Sequence, residues 1–93
     1  MSDIKLIKLK SGEELIGDVT VVGDSVTIAN PCQIIPTQDG MGFAPWPPFS
    51  KNSNVTIKTD WTICITEPVD AARDAWSSKF GSGIILPNVQ LNG

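Results

Sequence analysis

Histidine is absent from this sequence of 93 residues, and only two cysteines, Cys32 and Cys64, are present. The absence of histidine removes the commonest general base and the commonest metal ligand. The two cysteines lie far apart and form no CxxC pair, which favours reduced thiols in an intracellular protein over a disulfide or a metal site. The sequence therefore predicts no catalytic centre, no metal site and no cofactor.

Basic residues are also few, since seven lysines and arginines stand against ten acidic residues and the formal net charge is −3. A domain that grips nucleic acid with its whole surface carries a basic surplus, so RNA contact here would need a local patch. Lys5, Lys8 and Lys10 form one candidate strip. No apolar run is long enough to span a bilayer, and we expect a soluble cytoplasmic protein without a membrane partner.

Alternating apolar and polar residues are present instead, and they predict antiparallel strands. Residues 4–10 and 14–22 form the first two predicted strands, with a bend or close backbone approach at Gly17. Residues 25–35 form a third strand that Asn30-Pro31 interrupts with a bulge or kink. The strongest alternation covers residues 55–66, where the odd positions are apolar and Thr59-Asp60 marks a corner between two strands.

The other segments differ from this pattern. Residues 36–54 lack periodicity and contain several prolines, which predicts a long loop. Its Trp46 and Phe49 would either bind a partner or seal one end of a barrel. Residues 67–81 have apolar residues at three- and four-residue spacing, which predicts a C-terminal helix before a tail at 82–93. The whole chain, residues 1–93, is expected to be one domain, with its barrel strands at 4–66.

Two segments carry a resemblance to a known family. Residues 9–19, LKSGEELIGDV, resemble the first Sm motif, and residues 57–65, IKTDWTICI, fall where the second motif is expected. The chain as a whole, with PWPPF at residues 45–49, also resembles small proteins of T4-like cyanophages. The resemblance implies a mainly β fold: a strongly bent five-stranded antiparallel Sm-like (SH3-like) barrel, here with a C-terminal helix.

Sm-like proteins assemble into rings, in which the fourth strand of one subunit pairs with the fifth strand of the next. The resemblance therefore implies a homo-oligomer, and exposed strand edges are seldom left uncovered in proteins. The residues expected at this interface are those of the two strands with the strongest alternation: Val55, Thr56, Ile57, Trp61, Ile63 and Ile65.

RNA-binding members of the family hold a base between the loop after strand two and the loop after strand four. The matching positions here are Asp24, Ser25, Lys58, Thr59 and Asp60. The first loop is shorter than in the family and lacks its asparagine, and Lys58-Thr59 replaces an arginine-glycine pair. Lysine keeps the charge but lacks the planar fork that stacks on a base.

Two functions stay open. One is a ring that binds single-stranded RNA in RNA metabolism or phage infection, in the cytoplasm of the host cell. The other is a ring-shaped scaffold that binds a protein and no RNA. Catalysis is not expected, because the adjacent Glu13 and Glu14 would point to opposite faces of a strand and cannot converge on one bond.

Overall fold

A computed structural model describes residues 3–81 as an antiparallel sheet of six strands followed by one short C-terminal helix. The strands are β1 (Ile4–Leu9), β2 (Glu14–Val22), β3 (Ser25–Thr37), β4 (Gly40–Pro45), β5 (Asn54–Lys58) and β6 (Thr62–Thr66). A 3-10 turn, Thr59–Trp61, joins β5 to β6, and helix α1 (Asp70–Trp76) continues into a π-helical turn, Ser77–Gly81. The prediction of a mainly β fold with a C-terminal helix is confirmed.

Strand β3 determines the shape of the sheet, because it is 13 residues long and has two successive neighbours on one side. Its first half, from Ser25 to Ala29, pairs with β5, and its second half, from Cys32 to Thr37, pairs with β4. Strand β2 lies on the other side of β3, β1 follows β2, and β6 pairs with β1. The sheet is open, since β5 and β6 do not pair with each other.

A bulge divides β3 at the point where its neighbour changes. Two residues of β3, Asn30 and Pro31, face the single residue Gly17 of β2. A Cβ atom at Gly17 would lie 2.5 Å from Cγ2 of Ile28 and 3.0 Å from the carbonyl oxygen of Ala29. Only glycine permits so close an approach. The predicted close approach at Gly17 and the interruption at Asn30-Pro31 are both confirmed.

One face of the sheet forms the inner core. Alternate residues of each strand point to this face, as the pleat of a strand requires. The fully or almost fully buried members come from the first three strands: Ile7, Leu9, Leu15, Val19, Val26 and Ile28. Trp46, Ile57 and Ile65 pack against this cluster and are only partly buried. The core is therefore best covered at β1 to β3 and least covered where β5 and β6 end the sheet.

Helix α1 covers the opposite face of β2 and β3. Ile16 and Cys32 pack there against Ala72 and Trp76 of the helix, and all four are buried. The indole Nε1 of Trp76 donates a hydrogen bond to the carbonyl oxygen of Asn30 at 3.1 Å. The indole therefore buries its ring while its N–H finds an acceptor at the bulge. Strand β2 has buried side chains on both faces as a result.

The prediction of a loop over residues 36–54 is wrong in its first part. Strand β3 extends to Thr37 and forms a hairpin with β4, so the sheet has six strands rather than five. Pro36 lies beyond the last residue of β3 that pairs with β2, and Pro45 lies on an edge strand. Each proline therefore has one side of its strand without a neighbour, where a missing N–H costs nothing. Residues 46–53 contain turns and no strand.

The helix is shorter than the predicted range 67–81, because α1 begins at Asp70. Its first turn is closed by a hydrogen bond from the Arg73 N–H to the Val69 carbonyl at 3.0 Å. Glu67 precedes the helix and accepts hydrogen bonds from Lys5 of β1 and from Nη2 of Arg73. Glu67 therefore ties the helix to the sheet. The predicted tail at 82–93 lies outside the described residues.

Candidate functional site

The unpaired edges of β5 and β6 follow each other along the chain. Strand β5 pairs only with β3, and β6 pairs only with β1, among residues 3–81. The 3-10 turn between them is three residues long. Along the outer side of each strand, alternate N–H and C=O groups have no strand to pair with. Each edge can therefore accept one further strand.

The apolar side chains of these two strands are divided between the chain's own core and its surface. Ile57 and Ile65 pack against the inner core, and Val55 is half-buried. Trp61 is 46% exposed and Ile63 is 61% exposed. Trp61 and Ile63 are therefore the members of the expected interface that offer the most area to another molecule, while Ile57 and Ile65 also stabilise the monomer.

Thr56 lies on the other face of β5, as the alternation predicts. Its hydroxyl oxygen is 3.1 Å from the hydroxyl oxygen of Thr27 on β3, which is a hydrogen bond across the strand pair. Such cross-strand hydroxyl pairs contribute a few tenths to about 1 kcal/mol to a sheet. The side chain of Thr56 therefore holds β5 on its own sheet, and only its backbone is available at the edge.

The residues predicted for RNA binding come together at one corner of the sheet. Ser25 pairs with Lys58 across β3 and β5, and the N–H of Thr59 donates a hydrogen bond to the carbonyl oxygen of Asp24 at 2.9 Å. Asp60 follows in the first turn of the 3-10 segment. The side chains of Asp24, Lys58 and Asp60 are exposed. The corner thus presents two carboxylates and one ammonium group, which does not favour a phosphate.

The candidate lysine strip on β1 is largely neutralised by acidic neighbours. Lys5 is paired with Glu67, and this hydrogen bond raises the pKa of Lys5 and lowers the pKa of Glu67. Lys8 lies 3.5 Å from a carboxylate oxygen of Glu14. Lys10 is exposed at the end of the strip. The strip is therefore a set of local ion pairs on the sheet, and its first two lysines do not form a continuous basic surface.

Trp46 and Phe49 separate into two different roles. Trp46 is half-buried against the inner core, which agrees with the alternative in which it seals one end of the sheet. Phe49 has a left-handed φ of 69° and is fully exposed. Of the two aromatics, Phe49 is the one available to a partner.

A cavity of about 180 Å³ opens beside the loop formed by residues 46–53. Its apolar walls come from β3, the end of β4, the loop and the π-helical turn: Pro31, Cys32, Pro45, Trp46, Pro47 and Phe80. Exposed polar residues, among them Ser53 and Lys79, surround the walls. Sequence reasoning did not predict the cavity, because its walls come from four separate segments. The concentration of proline and tryptophan at residues 45–48 was the only local sign.

The two cysteines differ in burial within residues 3–81. Cys32 is buried beneath the helix, and this burial raises the pKa of its thiol, whereas Cys64 is exposed on β6. No three His, Cys, Asp or Glu side chains in the described part of the chain are placed to hold one metal ion. Over the same residues, no helix has the length and apolar character needed to cross a membrane.

Comparison with known proteins adds no family to this description. No protein-family model and no curated protein matches the chain.

Proposed function

We propose that this chain is an Sm-like assembly module whose copies join edge to edge into a homo-oligomeric ring. The observation that carries the proposal is the pair of unpaired edges on β5 and β6, with Trp61 and Ile63 exposed beside them. In this arrangement β5 of one copy pairs with β6 of the next. The ring binds a ligand and catalyses no reaction.

Pairing between two different edges favours a closed ring over a twofold dimer. They belong to different strands with different neighbours, so pairing β5 with β6 is a head-to-tail contact. Repeated head-to-tail contacts close when the rotation per copy divides a full turn. A copy in such a ring has its β5 and β6 edges covered, so that β4 alone of the six strands keeps a fully unpaired edge. Covering Trp61 and Ile63 at the same contact adds apolar burial that the monomer lacks.

Native mass measurement of the wild-type chain and of Ile63→Lys tests the assembly. The wild type should give one defined multiple of the monomer mass, and Ile63→Lys should give the monomer, because a lysine on an edge strand opposes strand addition. Thr20→Lys is the matched control, since Thr20 is exposed on β2, pairs with Thr27 of β3 and lies on neither of the two proposed contact edges. It adds the same charge and should leave the mass unchanged. A wild-type chain that stays monomeric at every concentration would contradict the proposal.

Single-stranded RNA is the ligand we place first. Its support is the meeting of the β2–β3 turn with the β5 corner, where Lys58 is exposed. Two neighbouring carboxylates, Asp24 and Asp60, oppose phosphate binding, so the expected affinity is low and sensitive to salt. Titration with uridine-rich and adenine-rich RNA at two salt concentrations tests this. Lys58→Ala should weaken binding and Asp60→Asn should strengthen it, whereas absence of binding at low salt would exclude RNA.

A protein ligand is the alternative, and the full exposure of Phe49 is the observation that favours it. Exposed aromatic residues in loops are typical of protein interfaces. A pull-down from a host-cell lysate distinguishes the two ligands. Recovery of a protein that Phe49→Ala no longer retains would support the scaffold, and recovery of RNA alone would count against it.

A further inference from the structure

Phe49 stands beside a cavity that matches the size of its own ring. Phe49 is fully exposed, and its neighbours Pro47 and Ser50 contribute to the cavity lining. Single exposed apolar residues are common on protein surfaces and mean little alone. The unusual feature here is that a fully exposed aromatic ring and an apolar cavity of about 180 Å³ share one loop.

The volume of the cavity limits what can occupy it. Sites for drug-sized ligands are roughly 300–1,000 Å³, so this cavity is too small for a nucleotide or a comparable ligand. An apolar cavity of roughly 150 Å³ takes up a benzene molecule. The cavity is therefore large enough for one phenyl ring. Trp46 and Phe80 offer it aromatic contacts, and the three wall prolines offer apolar ones.

The loop holds Phe49 in a defined position relative to the cavity. The N–H of Ser50 donates to the carbonyl oxygen of Pro47 at 3.3 Å, and the N–H of Asn52 donates to the Ser50 hydroxyl at 3.1 Å. The Asn30 N–H, from the bulge of β3, donates to the carbonyl oxygen of Ser53 at 2.6 Å. The left-handed backbone at Phe49 is unfavourable for a bulky residue unless its surroundings impose it.

We propose that the cavity binds the Phe49 ring of a second copy of this chain, and that two copies exchange these rings reciprocally about a twofold axis. Ring and cavity lie on one loop, so a single twofold contact satisfies both at once. This contact is separate from the pairing of β5 with β6. It makes the loop a second self-association surface.

The surface area that the two rings bury indicates how strongly two copies associate through this contact. Each aromatic ring buries roughly 150–250 Å², and two rings together stay well below the roughly 1,200 Å² of a stable interface. Two isolated copies therefore associate weakly. Copies that are already joined in a ring present several such contacts together, and their combined strength is far greater. In this respect the exchange rests on the proposed ring, and it would join one ring to another.

Fluorine NMR measures the exchange independently of ring formation. A single para-fluorophenylalanine is placed at position 49 in the Ile63→Lys background, in which edge pairing is blocked. The fluorine shift should move as the protein concentration rises, because the ring enters an aromatic cavity. Ser53→Trp should abolish this movement by filling the cavity, since the backbone of Ser53 is anchored and only its side chain changes. Ser53→Ala leaves the cavity open and should behave as the parent.

A mixing experiment tests whether the ring and the cavity recognise each other. Phe49→Ala keeps the cavity and lacks the ring, whereas Ser53→Trp keeps the ring and fills the cavity. Each variant alone should associate about thirtyfold or more weakly than the parent, which is the effect of losing an interface hot spot. An equal mixture should recover part of the association, because one of the two contacts forms. Val22→Ala, which removes a side chain that is 70% exposed at a distant turn, should have no effect.

The outcomes separate the two proposals. A fluorine shift that is constant with concentration, or that moves equally in Ser53→Trp, would overturn the exchange, as would a mixture no stronger than its components. Occupation of the cavity by another part of the same chain would give the constant shift. A wild-type chain that is monomeric by native mass while the fluorine shift still moves would overturn the ring and retain the exchange.

Discussion

Two apolar regions of the sheet are covered to different extents. On the outer side, α1 closes over β2 and β3, and Trp76 is buried with its N–H bonded to the bulge. At the β5–β6 end, the inner core is continued by Ile57 and Ile65, which stay partly exposed, and by Trp61 and Ile63, which are exposed. Both regions are rich in apolar side chains. Within residues 3–81, only the first is fully covered by the chain itself.

This difference indicates which residues serve folding and which serve assembly. A buried tryptophan contributes to stability in the monomer, whereas a half-exposed tryptophan at an unpaired edge gains most of its burial in a complex. Composition does not distinguish Trp76 from Trp61. Their surroundings do, because Trp76 lies on the face of α1 that packs against the sheet, whereas Trp61 lies in the 3-10 turn between two edge strands.

Replacing each tryptophan by alanine in the Ile63→Lys background should give the largest contrast. Trp76→Ala should lower the free energy of unfolding by roughly 3–5 kcal/mol, because it empties the space beneath α1. Trp61→Ala should lower it by about 1 kcal/mol or less, as for other surface positions. Urea unfolding of the monomers measures both values. Equal losses would show that Trp61 belongs to the folding core, and Trp76→Phe separates the hydrogen bond to Asn30 from the packing.

Gly17→Ala should produce the next largest effect. The added Cβ would lie 2.5 Å from a methyl group of Ile28 and 3.0 Å from the carbonyl oxygen of Ala29, so β2 and β3 must shift at the bulge. Forced overpacking of this kind costs roughly 1–3 kcal/mol. Gly42→Ala on β4 is the control, because its added Cβ would lie 3.5 Å from Cγ2 of Thr37, which is an ordinary van der Waals distance. Similar stabilities of the two variants in urea unfolding would argue against a tight approach at Gly17.

The smallest effect is expected at Glu67, which ties the helix-covered side to β1. Its hydrogen bonds, first from Lys5 and then from Arg73, lower the pKa of Glu67 below its ordinary 4.5. A lowered carboxyl pKa stabilises the folded state above the ordinary value, and that contribution is lost as the pH falls through the folded pKa. The raised pKa of Lys5 contributes below its ordinary 10.5 and is lost as the pH rises through the folded pKa.

Glu67→Gln should therefore be slightly less stable than the wild type between pH 4.5 and pH 10.5 and should approach it in more acidic solution. Urea unfolding across this pH range measures the difference. Glu14→Gln is the control. Glu14 on β2 pairs with Lys8 on β1, and these two strands are already joined by backbone pairing, so the loss of this ion pair disconnects no element. A Glu67→Gln deficit that stays undiminished as the pH falls from the ordinary carboxyl pKa through the lower folded pKa would mean that the ion pair with Lys5 is not its source.

Much of the fold was accessible from local patterns. The period-two alternation located β1, β2, β5 and β6, and Gly17 with Asn30-Pro31 located the bulge. The hairpin of β3 and β4 was missed because prolines were expected to exclude strands throughout residues 36–54. They are tolerated here because Pro45 lies on an edge and Pro36 lies beyond the end of β2, and neither fact can be read from neighbouring residues.

The candidate site was accessible only in part. The alternation identified the residues of β5 and β6, each of which has one unpaired edge within residues 3–81. The resemblance to the Sm family pointed to Asp24 and Lys58, and the structure brings the two segments that contain them together at one corner. The different roles of Trp46 and Phe49 stayed open, because both lie in one proline-rich segment. Their burial depends on which side of the loop meets the inner core, which is a property of the folded chain.

The sequence by itself determined the absence of histidine, the acidic balance, the alternation of the strands at residues 4–22 and 55–66, and the positions of the glycines and prolines. These are properties of single residues and of near neighbours along the chain. The tertiary structure decided which apolar residues are covered by α1, which edges have no neighbour and where a cavity opens beside Phe49. Those features arise where segments distant in sequence meet, and their burial and pairing depend on contacts that no local pattern specifies.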